Sequence, residues 1–302
     1  MSALLGNSLA MRELRARLAK LAPLPTPVLL LGETGTGKTL AARELHRLSP
    51  RRAHAFAVLD CGALAPSLAE AELFGAERGA YTGADSRRAG ALERAGRGTL
   101  LLDEVGELPR ELQPRLLRAL GERRFARLGG GDVLALEARV VAATNVALRG
   151  AVARGEFRGD LYHRLAVVTL ALPPLRERLE DLPLLIAAGL ARAAAACALA
   201  EPRFDASFVA ALGDYDWPGN VRELANALER VVALGAPPQL AASDAHALLA
   251  DLDTASFAPS PRCASSPRDA HGNVAAAARA LGLPRTTYRR RLARERALAA
   301  RE

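Results

Sequence analysis

The stretch PVLLLGETGTGKT spans residues 27–39 and decides the fold of this 302-residue chain. Its apolar start at 27–31 predicts a short buried parallel strand, and helical patterning follows over 38–48. The segment GETGTGKT at 32–39 fits the pattern GxxxxGK[ST] and stands between that strand and that helix. Glycines let such a loop curl so that backbone N–H groups point at phosphate oxygens, and the helix dipole favours the anion. The sequence therefore predicts a phosphate-binding loop.

Two side chains of this loop have distinct predicted roles. Lys38 would neutralise the β- and γ-phosphates of a nucleotide, and the Thr39 hydroxyl would bind Mg²⁺. Lys38 is one of only two lysines in a chain with 39 arginines, which fits a role that the planar fork of arginine fills poorly. All eight loop residues are predicted to bind the nucleotide: Gly32, Glu33, Thr34, Gly35, Thr36, Gly37, Lys38 and Thr39.

A second acidic motif completes the predicted site. The run TLLLDE at 99–104 is an apolar strand that ends in two carboxylates. Asp103 would lie at the carboxyl edge of the sheet as a second Mg²⁺ ligand, and Glu104 would polarise the attacking water. A strand that ends in Asp-Glu is a weak signal alone, but it is a strong one when paired with a phosphate loop. Together the two motifs predict ATP hydrolysis with ATP and Mg²⁺ as cofactors.

Further apolar runs predict the fold class. Strand-like segments at 56–59, 99–102, 139–143 and 166–171 alternate with helical or loop segments, which indicates an α/β fold with a parallel sheet covered on both faces. From about residue 175 the pattern is entirely helical. We predict four parts: an α/β ATPase core at 1–175, a helical subdomain at 176–250, a flexible linker at 251–270 and a basic helical domain at 271–302.

Composition excludes several classes of protein. The chain is 50% hydrophobic and 25% charged, which excludes disorder of the whole chain, and its aromatic content of 4% argues against an all-β fold. Cys61, Cys197 and Cys263 are far apart, so a disulfide framework or a zinc site is not expected. We find no signal peptide, and the apolar stretch 182–200 contains Pro183 and Arg192. A cytoplasmic location is therefore predicted.

The positive charge is concentrated near the C-terminus. The net charge is +8, and residues 268–302 hold nine arginines against three acidic residues. The pattern of 272–292 predicts two helices around a tight Gly-Leu-Pro turn. Charge alone leaves open a solvated basic helix or one that binds an acidic protein. We predict double-stranded DNA as the partner, contacted by residues of the second helix: Arg285, Thr286, Thr287, Arg289 and Arg290.

The segment ELFGAERGAYTGA at 72–84 carries a resemblance to a known family. It resembles the ELFGxExGAFTGA motif of the sigma-54-dependent transcriptional activators, a branch of the AAA+ ATPases. The resemblance implies an AAA+ core with a helical lid and a C-terminal helix-turn-helix of the Fis type. Supporting segments are LLDEVGELPRELQPRLLRAL at 101–120, RVVAATN at 139–145, FRGDLYHRL at 157–165, LPPLRER at 172–178 and WPGNVREL at 217–224.

The resemblance implies that one loop contacts sigma-54 and RNA polymerase. This contact loop consists of Gly79, Ala80, Tyr81, Thr82, Gly83 and Ala84. Its two glycines allow a tight loop that could move with nucleotide state. Thr82 matches the main contact position. Tyr81 replaces the usual Phe and keeps the aromatic ring, so contact is expected to be retained.

The resemblance also assigns roles in nucleotide sensing and in assembly. Asn145 matches the sensor I position, which responds to the γ-phosphate, and Arg222 matches sensor II. Arg158 and Arg164 match arginines that reach the nucleotide of the neighbouring subunit. A guanidinium supplied in this way stabilises the charge of phosphoryl transfer, so hydrolysis would depend on assembly into a ring, expected to be a hexamer.

Two further features of the chain depart from the family pattern. Asp60 stands where the family has an Asn that holds the catalytic Glu, and a carboxylate there would repel Glu104. The chain starts almost at the ATPase core, so within the family we expect no N-terminal regulatory domain. Its activity would then be controlled by a separate protein or by expression level, or it would not be switched at all.

Two alternative functions stay open: a general AAA+ remodelling enzyme and a DNA-binding repressor with a vestigial ATPase. The complete set of Lys38, Asp103 and Glu104 argues against the second.

Overall fold

The computed structural model of the chain describes residues 4–63, 65–81 and 85–255. These residues form two compact units that divide between Pro174 and Leu175. Several predicted site residues lie outside the described residues: Thr82, Gly83 and Ala84 of the contact loop, and Arg285, Thr286, Thr287, Arg289 and Arg290 of the basic tail.

The first unit contains seven α-helices and nine strands among its described residues. Its helices are α1 (Leu9–Leu21), α2 (Lys38–Arg47), α3 (Pro66–Phe74), α4 (Ala91–Ala95), α5 (Gln113–Glu122), α6 (Leu148–Ala153) and α7 (Gly159–Leu165). Its strands are β1 (Val28–Leu31), β2 (Phe56–Asp60), β3 (Gly75–Ala76), β4 (Arg88–Ala89), β5 (Thr99–Asp103), β6 (Arg124–Ala126), β7 (Val133–Ala135), β8 (Arg139–Thr144) and β9 (Val168–Ala171). A 3₁₀ turn at Val105–Glu107 follows β5.

Five of these strands form one parallel sheet in the order β2-β5-β8-β1-β9. All five arise from the apolar runs that predicted strands, so the predicted α/β fold with a parallel sheet is confirmed. The two short antiparallel pairs, β3 with β4 and β6 with β7, were not predicted. Their strands have only two or three residues each, which is too short for a sequence pattern.

Both faces of the sheet are buried, as a parallel sheet between helices requires. Leu29 and Leu100 point into one apolar core, while Leu30 and Leu101 point into a second core on the opposite face. All four side chains are fully buried. Because successive side chains of a strand alternate between faces, only an uninterrupted apolar run such as VLLL fills both cores at once.

A buried arginine joins the sheet to the first helix. Arg139 begins β8, its side chain is 1% exposed, and its guanidinium donates hydrogen bonds to three backbone carbonyls. The acceptors are the oxygens of Leu21 at 3.0 Å, Ala22 at 2.9 Å and Thr26 at 3.2 Å. Leu21 and Ala22 lie at the carboxyl end of α1, where carbonyls lack helical partners and the dipole favours a cation. Burial lowers the pKa of the Arg139 guanidinium to about 10, so it stays charged at neutral pH.

The second unit is mostly helical in its described part. Its helices are α8 (Leu182–Cys197), α9 (Ala206–Gly213), α10 (Asn220–Ala233) and α11 (Ala242–Ala255), with 3₁₀ turns at Leu175–Glu177 and Leu179–Asp181. The prediction of an entirely helical pattern is wrong in one detail, because β10 (Arg203–Phe204) and β11 (Gln239–Leu240) pair in parallel. Each strand has two residues, and only tertiary contact brings them together.

The WPGN segment forms a tight turn before α10. Trp217 is fully buried, its indole N–H donates to the Leu212 carbonyl at 3.0 Å, and its φ of 49° lies in the left-handed region. Asn220, also fully buried, accepts a hydrogen bond from the Leu175 N–H at 2.8 Å. The segment therefore has a structural role within this unit.

Among the described residues, no helix is long and apolar enough to cross a bilayer.

We predict that Arg139→Met lowers the free energy of unfolding by about 3 kcal/mol, because three backbone carbonyls, of which that of Ala22 is buried, lose their charged donor. Urea unfolding followed by circular dichroism measures the change. Arg97→Met is the matched control, since Arg97 is 72% exposed and forms a surface ion pair with Glu137. Equal unfolding midpoints for the two variants would contradict the assigned role of Arg139.

Candidate functional site

The phosphate loop connects β1 to α2 at the carboxyl edge of the sheet. Gly35 and Gly37 have φ values of 82° and 104°, which side chains rarely tolerate, so glycine is required at both turns. Gly37 is the N-cap of α2, and no side chain of the described residues caps this helix. The N–H groups of its first turn therefore face the loop, as in anion sites at helix N-termini.

Lys38 is the first residue of α2 and is 6% exposed. Its Nζ donates to the Gly32 carbonyl at 2.9 Å and to the Glu33 carbonyl at 3.4 Å. The same atom lies 3.2 Å from Oε1 of Glu104. The ammonium group is thus held inside the curl of the loop, where a phosphate would meet it together with the helix N-terminus.

Not every loop residue turns its side chain outward. The Thr36 hydroxyl donates to the Glu33 carbonyl at 2.8 Å, and Thr36 is 2% exposed. This bond closes the loop on itself. A Cβ on Gly32 would lie 2.9 Å from the Thr36 hydroxyl, so the close packing requires glycine there. Thr36 and Gly32 therefore maintain the shape of the loop through these contacts.

Thr39 and Asp103 meet at the predicted magnesium position. The Thr39 hydroxyl donates to Oδ2 of Asp103 at 2.9 Å, and Oδ1 of Asp103 accepts from the Glu104 N–H at 3.1 Å. A hydroxyl and a carboxylate side by side are hard oxygen donors. Mg²⁺ prefers such donors and is usually held by one or two protein ligands together with phosphates and water. The pair therefore fits Mg²⁺.

Glu104 adopts an unusual backbone conformation. Its φ of 47° and ψ of 48° are left-handed, which costs about 1–2 kcal/mol for a residue with a Cβ. Its Oε1 faces Lys38, and its Oε2 accepts a hydrogen bond from the Asn145 N–H at 3.0 Å. Strain of this kind persists only where surrounding contacts maintain it, and it is concentrated at functional sites.

Asn145 follows the last residue of β8 and contacts two parts of the site. Its backbone N–H binds Glu104, and its side-chain amide donates to the Thr34 hydroxyl at 3.0 Å. Thr34 belongs to the phosphate loop. The end of β8 is therefore connected both to the loop and to the carboxylate that would activate water.

Asp60 does not take part in these bonds as the structure describes them. It ends β2 beside Asp103 on β5, and its Oδ1 accepts from the Gly62 N–H at 3.0 Å. The described bonds of Glu104 go to Lys38 and Asn145 instead, which is consistent with repulsion between the two carboxylates. Burial, together with the charges of Asp60, Asp103 and Glu104, raises the pKa of the neighbouring Cys61 thiol to about 12. This edge of the sheet is therefore strongly negative.

Two of the three predicted arginines, Arg158 and Arg164, make their described contacts outside this cluster. Arg158 is the N-cap of α7 and forms an exposed ion pair with Asp160 at 2.7 Å. Nη2 of Arg164, near the end of α7, donates to the Leu120 carbonyl at 3.0 Å. Arg222 is exposed on α10 in the second unit.

The contact loop leaves the core through a short ladder between β3 and β4. Gly75 has a φ of 87°, and a Cβ there would lie 2.8 Å from the Arg88 carbonyl, so glycine is required at the start of the ladder. A second loop, which follows β6, packs against the contact loop. Leu128 bridges Ala76, and a Cβ on Gly129 would lie 2.9 Å from the Cβ of Ala80. The two loops are in direct contact.

A buried arginine clamps the base of the contact loop. Arg127, whose side chain is 3% exposed, donates to both oxygens of Glu93 on α4 and to Oε1 of Glu77 at 2.7 Å. The hydrogen bonds from Arg127 hold the pKa of Glu93 below its usual value. We call Arg127, Glu77 and Glu93 the loop clamp. It connects the chain two residues before Gly79 to the core.

Sequence reasoning missed two groups of residues around the site. One is the loop clamp, whose members are far apart in sequence and look like ordinary surface charges. The other is Gln113, which is fully buried at the start of α5. A single glutamine inside the charged segment 101–120 was the available signal, but the pattern does not reveal its burial.

Comparison with known families gives two matches in succession. The sigma-54 interaction domain matches residues 4–171, and the AAA+ ATPase lid domain matches residues 176–257. The first match alone covers more than half of the chain and includes the phosphate loop, the acidic strand end and the contact loop.

Individual relatives agree with these matches. The C4-dicarboxylate transport transcriptional regulatory protein DctD of Pseudomonas aeruginosa is 45% identical over 296 residues, which are 96% of this chain and 63% of DctD. The transcriptional regulatory protein ZraR of Escherichia coli is 46% identical over 231 residues, or 76% of this chain and 52% of ZraR. The chain thus spans less than two thirds of either relative.

Among solved structures, NtrX from Brucella abortus in complex with ATP has a TM-score of 0.75 and 32% identity. The match covers 95% of this chain and 68% of NtrX. Together with the domain matches, it shows that the chain belongs to the sigma-54-dependent activator family of AAA+ ATPases.

Proposed function

We propose that this chain hydrolyses ATP and uses the energy to convert the closed complex of sigma-54 RNA polymerase into the open complex. The observation that carries the proposal is the cluster of Lys38, Thr39, Asp103, Glu104 and Asn145 at one sheet edge, in direct hydrogen-bond or ion-pair contact. A vestigial ATPase would be under no constraint to keep these four contacts.

The residues of the cluster divide the chemistry among them. Lys38 and the N-terminus of α2 bind the phosphates. Mg²⁺, held by Thr39 and Asp103, would neutralise phosphate charge. Glu104 polarises the attacking water, and the Asn145 N–H fixes the orientation of its carboxylate. Because Lys38 also contacts Glu104, a phosphate that attracts the ammonium changes the electrostatic environment of the base at the same time.

Completion of the site requires a second subunit in this proposal. Arg158 and Arg164 supply positive charge to the nucleotide of the neighbouring subunit in a homo-oligomeric ring, which we take to be a hexamer. Arg222 of the lid senses the nucleotide of its own chain. The exposure of Arg158 and Arg164 supports their role, since a group that acts across an interface must be accessible on the isolated subunit.

The contact loop transmits the nucleotide state to sigma-54. Its base is attached to the core through the loop clamp and the β3–β4 ladder, while Thr82 and Tyr81 provide the hydroxyl and the ring for contact. Residues 271–302 bind enhancer-like double-stranded DNA, and the excess of arginine there supports this part of the proposal. The cytoplasmic location expected from the sequence agrees with such a role.

Lys38→Ala is expected to lower ATP turnover by about 100-fold or more, because the charge that stabilises the transferring phosphoryl group is lost. A phosphate-release assay measures it. Lys20→Ala is the matched control, since Lys20 is the other lysine of the chain and is exposed near the end of α1. Persistent turnover in Lys38→Ala would remove the assigned role of the phosphate loop.

Thr82→Ala is expected to keep ATP turnover while losing open-complex formation on a sigma-54 promoter. The change removes the contact hydroxyl and leaves the nucleotide site intact. Permanganate footprinting of melted promoter DNA provides the measurement, and Thr82→Ser, which restores the hydroxyl, is the control. Full promoter opening by Thr82→Ala would mean that the coupling proposal is wrong.

Arg127→Met is expected to reduce promoter opening by about tenfold, with a smaller effect on ATP turnover. The change displaces the base of the contact loop, so the loop is misplaced for its contact while the nucleotide site is left intact. Arg124→Met is the matched control, since Arg124 lies on β6 three residues earlier and is 62% exposed. Equal losses of turnover and of promoter opening would assign the clamp to overall stability instead.

A further inference from the structure

Gln113 is one of two glutamines in the chain and lies fully buried at the first residue of α5. Its Nε2 donates to the Leu108 carbonyl and to the Glu156 carbonyl, each at 3.1 Å. Its Oε1 accepts from the Arg158 N–H at 2.9 Å. Both amide protons and the carbonyl oxygen therefore bind backbone groups of two separate segments.

These contacts select an amide at this position. Replacement by Glu would place carboxylate oxygens against two carbonyl oxygens, and replacement by Leu would leave three backbone groups without their partner. A buried group left in this way costs about 1–3 kcal/mol. Such cost would accompany any buried glutamine, so the significance of Gln113 depends on which segments it joins.

In the proposed ring, the two segments carry residues that act on different nucleotides. Glu104 acts on the nucleotide of its own chain, and Arg158 acts on that of the neighbouring subunit. Leu108 directly follows the 3₁₀ turn at Val105–Glu107, which starts after Glu104. Arg158 caps α7, the helix that also carries Arg164. Gln113 thus connects the chain just behind the proposed base to the chain that carries both arginines.

Helix α5 also holds the second arginine. Arg164 donates to the carbonyl of Leu120, which lies on α5 two turns after Gln113. The backbone of Arg158 is fixed at one end of α5 and the side chain of Arg164 near the other. A shift of α5 would move both arginines together.

We propose that Gln113 is a positioning residue that orients Arg158 toward the nucleotide of the neighbouring subunit. Through the same amide group it connects Arg158 to the segment that follows Glu104. The inference rests on the proposed function of Arg158 across the subunit interface. Gln113 is buried and acts through Arg158, so it contributes to the nucleotide site of the neighbouring subunit and not to nucleotide binding in its own subunit.

Mixed assemblies test this division. Gln113→Leu and Gln113→Glu are each prepared alone and in an equal mixture with Lys38→Ala, whose own site is inactive but whose Gln113 and Arg158 are intact. Arg158→Ala mixed with Lys38→Ala is the reference. Gln239→Leu is the matched control, because Gln239 is the other glutamine and is exposed on β11.

We expect both Gln113 variants alone to lose turnover by about 10- to 100-fold, as a misplaced catalytic group does, while their KM for ATP changes by less than about twofold. In the mixture with Lys38→Ala, turnover should rise above the sum of the two separate preparations, because a Gln113 variant then receives a correctly placed Arg158 from its neighbour. Gln239→Leu should retain normal turnover.

Distinct failures separate the inference from the function on which it rests. Absence of rescue in the reference mixture would overturn the role of Arg158 across the interface and this inference with it. Rescue of the reference without rescue of either Gln113 variant, or normal turnover of both variants alone, would overturn the inference only. Loss of binding of a fluorescent ATP analogue in both variants would assign Gln113 to folding and would likewise overturn it.

Discussion

The parallel alignment of the five strands of the central sheet is the constraint on which the rest of this structure depends. Parallel strands carry all their carboxyl ends to the same edge, so the loop after β1, the acids that end β2 and β5, and Asn145 after β8 must meet there. Ligand sites of open α/β sheets form at this edge for the same reason. The apolar runs that bury both faces of the sheet therefore also assemble the chemistry.

The carboxyl edge of the sheet carries an excess of negative charge. Asp60 and Asp103 are paired in register at the ends of β2 and β5, and Glu104 follows Asp103, so three carboxylates lie at the edge that also holds the ammonium of Lys38. The raised pKa of Cys61 reflects this negative environment as well as burial. A nucleotide would add negative charge, which the N-terminus of α2, Lys38 and a divalent cation would offset. Glu104 adds backbone strain, which its bonds to Lys38 and Asn145 hold in place.

Buried polar side chains connect this edge to distant parts of the first unit. Arg139 attaches α1 to β8, Arg127 attaches the contact loop to α4, and Gln113 attaches α5 to α7. Each of them is less than 5% exposed, and each is hydrogen-bonded to two or more groups. Such contacts are strongly directional, because a buried donor loses its full bond energy when its partner moves. They give the unit fixed links among its helices, its sheet and the base of the contact loop.

The sequence by itself determined the five central strands, the phosphate loop and the acidic strand end, because each depends on local patterns of apolar residues, glycines and carboxylates. It also indicated the family through the segment at 72–84. It did not reveal the β10–β11 pair, the loop clamp or the burial of Gln113 and Arg139. Only the tertiary structure decided these, since a polar side chain has the same local pattern whether it ends in solvent or reaches a partner brought close by the fold.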